Sequence, residues 1–148
     1  MGTLTLPTQG QVYLDAQGFI YSVEQHPVYQ PLLRPLWTEV QSGAITVVTS
    51  ELTILETLVK PLKVSDLALV VRYEQFLQEP GILLTAVTPA VLKEAARLRA
   101  NYNSLRTPDA IHAATALLSA CSLFITNDLR LRSLAGSIPL AMLQDLLP

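Results

Sequence analysis

Two kinds of apolar spacing alternate along the chain. Short runs rich in β-branched and aromatic residues fall at Gln11–Leu14, Ile45–Val48, Ile82–Leu84 and Leu123–Ile125, with a weaker fifth at Ile138–Leu140. Runs of this length and composition predict strands. Between them the apolar positions recur at helical spacing. Val91, Ala95, Leu98 and Tyr102 share a face opposite Lys93, Glu94, Arg97 and Asn101. Thr88 supplies a cap for that helix, and Pro89 suits its first position, where no N–H partner is needed. Ser65-Asp66 opens another helix that runs to about Gln78 and is closed by Pro80-Gly81. The clearest start is Thr107-Pro108-Asp109: a cap, a proline and a carboxylate in the first turn. It continues as AIHAATALLSAC, apolar on nearly every side, and its many alanines predict a buried helix lying close against a sheet.

Strands separated by helices predict right-handed crossovers. The expected fold is therefore α/β in three layers, with helices on both faces of a central, mostly parallel sheet of four to five strands. Pro27, Pro31 and Pro35 predict a loop or short helical pieces after the first helix. Residues 1–10 read as a loose N-terminal lead. With no internal repeat, low-complexity tract or boundary, residues 1–148 read as one domain.

Composition narrows the function classes. A chain of 148 residues can bury roughly two-thirds of its unfolded surface. Half its residues are apolar and 15% are charged, which excludes a disordered chain. Cys121 is the only cysteine, so no intrachain disulfide or cysteine metal site can form, and it reads as a buried small hydrophobe. The first ten residues lack the pattern of a secretory signal. Ala110–Cys121, the longest mostly apolar stretch, is too short to span a bilayer, so a cytoplasmic location is expected by default. The net charge of −2 does not announce a nucleic-acid binder. Even so, six of the ten basic residues (Lys93, Arg97, Arg99, Arg106, Arg130, Arg132) lie between positions 93 and 132 beside only three acids.

Those few acids fall at telling positions. In open parallel sheets, ligands bind beyond the carboxyl ends of the strands. Asp15 directly follows the first strand, and Asp128 closes Ile125-Thr126-Asn127-Asp128 after the fourth. Asp109 lies in the first turn of the buried helix, and Glu56 sits between Leu52 and Val59 on the helix after the second strand. Each also has a purely structural reading. Asp15 and Asp128 can cap helices, Asp109 can complement a helix dipole, and Glu56 can pair with Lys60 one turn on. Position alone leaves both readings open. His112, one turn after Asp109, reads first as a structural histidine, and His26 carries no signal. Thr126 and Asn127 can bind phosphate or water or simply shape the turn, while Arg106, Arg130 and Arg132 can grip phosphates.

Four blocks in order carry a resemblance. Val12-Tyr13-Leu14-Asp15, followed by Phe19-Ile20-Tyr21, is similar to the strand, aspartate and short helix that open PIN-domain ribonucleases. Ser50-Glu51-Leu52-Thr53-Ile54-Leu55-Glu56 resembles the family's second block, a serine before a glutamate-bearing helix, and Glu56 is preferred to Glu51, which falls in the first turn. Thr107-Pro108-Asp109-Ala110-Ile111-His112-Ala113-Ala114-Thr115-Ala116 is the most specific match, and Phe124-Ile125-Thr126-Asn127-Asp128 resembles the fourth block. One departure stands out: Ala16-Gln17 occupy positions where the family often places a hydroxyl residue and then a short amide or serine.

The resemblance implies a PIN-like fold and a ribonuclease that hydrolyses RNA phosphodiester bonds, leaving a 5′-phosphate and a 3′-hydroxyl. It implies Asp15, Glu56, Asp109 and Asp128 as catalytic metal-site residues. Clustered carboxylates repel one another unless a cation joins them, and hard oxygen donors suit one or two Mg2+ or Mn2+ ions. It further implies a VapC-like toxin, held inactive by a cognate antitoxin and dimeric. The apolar segment Leu32–Val40 is the expected twofold surface, with Trp37 as anchor or else packed within its own subunit. Two alternatives remain at this point: a PIN-fold RNA- or protein-binding module whose catalysis has decayed, and a magnesium-dependent phosphohydrolase of small phosphates. The second lacks a Gly-rich phosphate loop.

Overall fold

In the computed structural model, which describes residues 2–148, strands and helices alternate almost throughout. The strands are β1 (Gly10–Leu14), β2 (Ile45–Ser50), β3 (Ile82–Thr85), β4 (Leu123–Thr126) and β5 (Leu140–Met142). The α-helices are α1 (Ala16–Val23), α2 (Gln30–Gln41), α3 (Leu52–Lys63), α4 (Leu67–Leu77), α5 (Pro89–Asn101) and α6 (Thr107–Leu118). Short 3-10 turns cover Leu129–Leu134 and Leu143–Leu146. The five strands lie in the order β3-β2-β1-β4-β5, and every pairing is parallel, so the sheet is wholly rather than mostly parallel.

Alternation along the central strands sorts the core into two halves. Tyr13, Val48 and Phe124 point to the face covered by α5 and α6, where Val91, Leu98, Ala110 and Ala114 meet them. Val12, Leu14, Val47, Leu123 and Ile125 point to the other face, against Phe19, Leu33 and Leu36 from α1 and α2. The period of two in a strand thus builds a helix layer on each side. Near-continuous apolar runs in β1, β2 and β4 follow from burial on both faces. The alanines of α6 let it approach the sheet closely, and Ala110, Ala113, Ala114 and Ala116 are fully buried.

Four details differ from the sequence expectation. The proline-punctuated segment contains a twelve-residue helix, α2, rather than loops or short pieces. Pro31 sits in its first turn, where its missing N–H costs nothing, and the Leu32, Leu33, Leu36 and Val40 stripe buries enough apolar surface to offset Pro35. β5 begins at Leu140 instead of Ile138. Pro139 has no N–H to give the ladder, but its carbonyl accepts the Phe124 N–H at 2.8 Å, and Ile138 is left to fill the α5–α6 core. The helix at Thr107 is capped by Arg106, one residue earlier than expected. Thr107 instead accepts a hydrogen bond from Arg99 Nη1 at 2.9 Å. Finally, the N-terminal lead is tied down where it is described: Leu4 is buried in the core, and the Gly2 N–H donates to the Leu146 carbonyl at 2.7 Å. Met1, the first residue of that lead, lies outside the described residues. No helix is long and apolar enough to cross a membrane among the described residues.

Candidate active site

The strand order creates one crevice. From β1 the chain moves to β2 and β3 on one side, and then returns to place β4 and β5 on the other. The carboxyl ends of β1 and β4 therefore flank a topological switch point, the usual ligand position in such sheets. A cavity of about 630 Å³ opens there. Asp15, Glu56, Asp109 and Asp128 all line it, joined by His112, Arg106 and Arg130. Residues spread over more than a hundred positions of sequence meet because β1, α3, α6 and the end of β4 converge on this rim.

Asp15 leaves β1 and caps α1, with its Oδ1 accepting the Gly18 N–H at 3.3 Å. Its Oδ2 accepts the Thr126 hydroxyl at 2.6 Å, across from β4. α1 can start this close to the strand only because residue 18 is glycine: a Cβ there would stand 2.2 Å from Leu14 Cδ1. Asp15 thus receives a hydroxyl hydrogen bond from β4, while Ala16 and Gln17 follow it into α1. Thr126 Oγ1 also accepts the Asp128 N–H at 3.1 Å, so one side chain ties two of the acids. Asp109, on α6, accepts the Arg106 backbone N–H at 2.8 Å, and Asp128 caps the following 3-10 turn through the Arg130 N–H at 3.0 Å. The Arg130 guanidinium lies between these two carboxylates, 3.3 Å from Asp109 and 2.8 Å from Asp128.

Glu56 does not pair with Lys60. Its Oε1 lies 2.5 Å from His112 Nε2, and the other ring nitrogen lies 2.6 Å from Tyr13 Oη. Tyr13 in turn accepts the Ser50 backbone N–H at 3.1 Å. Among the described residues no buried side-chain polar atom lacks a hydrogen-bond partner, so the site is fully satisfied as it stands.

Electrostatics follow from burial. Desolvation raises the Asp15 pKa, opposed by nearby His112 and by the Thr126 and Gly18 hydrogen bonds. Asp109 is raised for the same first reason, with the Asp128 charge adding to it and the Arg106 N–H and Arg130 opposing. These are carboxylates held at a cost in the charged form, which a cation in the cavity would relieve. The hard oxygen donors among the cavity's lining residues are of the type that suits Mg2+ or Mn2+. No group of three or more His, Cys, Asp or Glu side chains stands close enough to hold an ion among the described residues. Each acid is turned instead to a protein donor: Asp15 to Thr126, Glu56 to His112, Asp109 and Asp128 to Arg130.

The structure therefore brings all four expected acids to one cavity, and leaves Glu51 exposed outside it. It also shows three of them in their structural roles, as two caps and a first-turn carboxylate, so the two readings coexist. The basic bias of the second half resolves into separate uses. Arg106 and Arg130 line the cavity, whereas Arg132 pairs with Asp145 and Arg97 with Glu94 on the surface. Asn127 shapes the rim by donating to Tyr21 Oη at 3.0 Å and accepting the Gln144 N–H at 2.9 Å. Tyr13 escaped the sequence reading as a site residue because its position inside a strand reads as plain core. Its only signal is a hydroxyl within an otherwise apolar buried run.

The Leu32–Val40 segment does not offer an apolar face. Leu32, Leu33, Leu36 and Val40 are buried, and half-buried Trp37 packs edge-on against Phe76 at 5.1 Å while donating to Ser22 Oγ at 2.8 Å.

The model of the PIN domain matches residues 12–137. No curated protein matches by sequence. Among solved structures, a chain of VapBC2 from Rickettsia felis, solved with a DNA fragment from its promoter, superposes with a TM-score of 0.67 at 14% identity, covering 88% of this chain and 98% of that one. A toxin–antitoxin complex from Klebsiella pneumoniae gives 0.65 at 19% identity, covering 88% and 96%. VapC20 of Mycobacterium tuberculosis, described as a sarcin-ricin loop cleaving toxin, gives 0.63 at 14% identity, covering 76% and 86%.

Proposed function

Because this chain belongs to the PIN domain family, we propose that it is a divalent-metal-dependent ribonuclease and the toxin half of a toxin–antitoxin pair. One observation carries the chemistry: four acids from separate elements line a single cavity at the switch point of the sheet, beside two arginines. Asp15, Glu56, Asp109 and Asp128 are the residues that would hold one or two Mg2+ or Mn2+ ions. Magnesium keeps several waters and takes few protein ligands, so a closed cage of three side chains is not required. Such an ion, when bound, lowers the pKa of a water and offsets charge on a phosphodiester. The chain's own part is to bind and orient. Arg106 and Arg130 at the cavity wall meet RNA phosphates, and Thr126 keeps Asp15 turned to the rim.

The partner half of the proposal draws on the structural neighbours solved as toxin–antitoxin complexes and on the surface of this chain. Leu55, Val59, Leu62, Val64, Leu67 and Val71 are all exposed on α3, α4 and the turn between them. Apolar side chains gathered on a surface mark protein contacts. An antitoxin, or a second copy in a homodimer, is the proposed occupant, and it replaces the Leu32–Val40 face as the expected interface.

Incubating the purified protein with pooled RNAs tests the activity. Cleavage is expected with Mn2+ or Mg2+ and not with chelator, and Asp15→Asn should bind RNA without cutting it. A folded wild type that binds RNA yet cuts none under any divalent ion would transfer the chain to the decayed binding modules.

A further inference from the structure

Tyr13 from β1, His112 from α6 and Glu56 from α3 form one line of hydrogen bonds running from the core to the cavity. The imidazole is 6% exposed and the Glu56 side chain 28%; both border the cavity, and the line ends on its more exposed member. Its direction can be read from the donors. A backbone amide can only donate, so Tyr13 Oη accepts from Ser50. Burial also holds that phenol protonated, with its pKa pushed well above the usual value by desolvation. A carboxylate can only accept, so Nε2–H donates to Glu56 Oε1, which leaves Nδ1 to meet the Tyr13 hydroxyl.

We propose that His112 is a positioning residue for Glu56: held at Nδ1 by Tyr13, it engages Oε1 through Nε2–H from inside the fold and leaves Oε2 as the oxygen offered to the cavity. This rests on the reading of the cavity as a metal site. A carboxylate on a long side chain, at the half-exposed wall of a cavity, has no fixed orientation of its own. The buried imidazole supplies one, as hydrogen-bonded partners of metal-ligating carboxylates do. A histidine serving only the core would need two buried partners. This one spends its second nitrogen on a group that faces the cavity.

Two variants separate reach from polarity. Glutamine places an amide N–H near the position of imidazole Nε2, whereas asparagine, one methylene shorter, stays near Nδ1 and does not reach Glu56. Manganese affinity by isothermal titration calorimetry, without RNA, is expected to fall about 10–100-fold in His112→Asn, the range typical for losing such a partner. His112→Gln should restore most of it, with both variants folded by circular dichroism. Nitrogen-15 spectra of the histidines should show His112, identified by its loss in either variant, with a proton on Nε2. Equal manganese affinity in wild type, His112→Asn and His112→Gln would overturn the proposal, as would a ring protonated on Nδ1 alone. If wild type and Glu56→Gln both bind no manganese, the metal reading fails; the positioning proposal falls with it as a metal device, and the Nε2 proton then reports only a structural bond.

Discussion

Tyr13→Phe puts the buried hydrogen-bond line to a thermodynamic test. The substitution removes one oxygen and keeps the ring, whose centroid lies 4.7 Å from that of Phe124, so apolar packing is retained. What is lost is the acceptor for the Ser50 N–H and the partner of His112 Nδ1. Stranding a buried polar group costs about 1–3 kcal/mol. Two such groups, with partial relaxation, give an expected loss of about 2–5 kcal/mol. For a chain of this size that corresponds to a fall in Tm of roughly 5–15 °C. Tyr102→Phe is the matched control, because its hydroxyl meets Ser137 Oγ at 3.3 Å on the surface. It should change stability by less than about 0.5 kcal/mol. Urea unfolding is the assay, with an unchanged m-value showing that the same surface is exposed in each variant. If Tyr13→Phe costs no more than Tyr102→Phe, the line from Ser50 to Glu56 does not hold the fold.

Four further outcomes are expected. Asp15 and Asp109 have raised pKa values, so between the ordinary carboxylate range and those values the folded state holds more protons than the unfolded. Stability of the metal-free protein is then lost as pH rises through the window, and the Tm advantage of Asp109→Asn over wild type should grow from about pH 4 upward; an advantage that shrinks with pH would contradict the sign. Manganese at a hundredfold excess over its Kd should stabilise the wild type by about 2.7 kcal/mol. Arg130→Gln, lacking the guanidinium between Asp109 and Asp128, should bind manganese more tightly, and a weaker thermal shift than wild type would argue against competition at that pair. Trp37→Ala should cost about 3–5 kcal/mol, as large aromatic truncations do, with no change of mass by light scattering after size exclusion; a change of mass without loss of stability would return Trp37 to an interface.

Much of this molecule is readable from spacing alone. Alternation and punctuation place the four main strands to within two residues, and Thr88-Pro89 and Asp66 start their helices as expected. The acids are legible because each stands beside a strand end or helix start, where parallel topology dictates a rim. What spacing does not carry is direction. Nothing in the order of residues says that Glu56 turns to His112 instead of Lys60, since the two partners differ by tertiary packing and not by helix geometry. Thr126 likewise reads as a turn residue until β1 and β4 pair and bring it to Asp15. Strand alternation marks Tyr13 as buried but does not report what its hydroxyl meets. Pro31 and Pro35 misled in the other direction, because a local breaker signal was outweighed by an apolar stripe whose value appears only on packing.

The sheet order also has a temporal meaning. β1 is made before the other four strands of the sheet, but one of its two neighbours is β4, and the bond between Thr126 and Asp15 spans 111 positions. Pairings that distant close slowly, since a long loop must be ordered before they return any energy. A ribosome-bound chain released only as far as residue 100 has made β1, β2 and β3 but neither α6 nor β4. It has Asp15 and Glu56 without Asp109, Asp128, His112 or Arg130. The cavity therefore comes into being only after α6 and β4 have been made, and a translation product interrupted before them carries half a wall and no site.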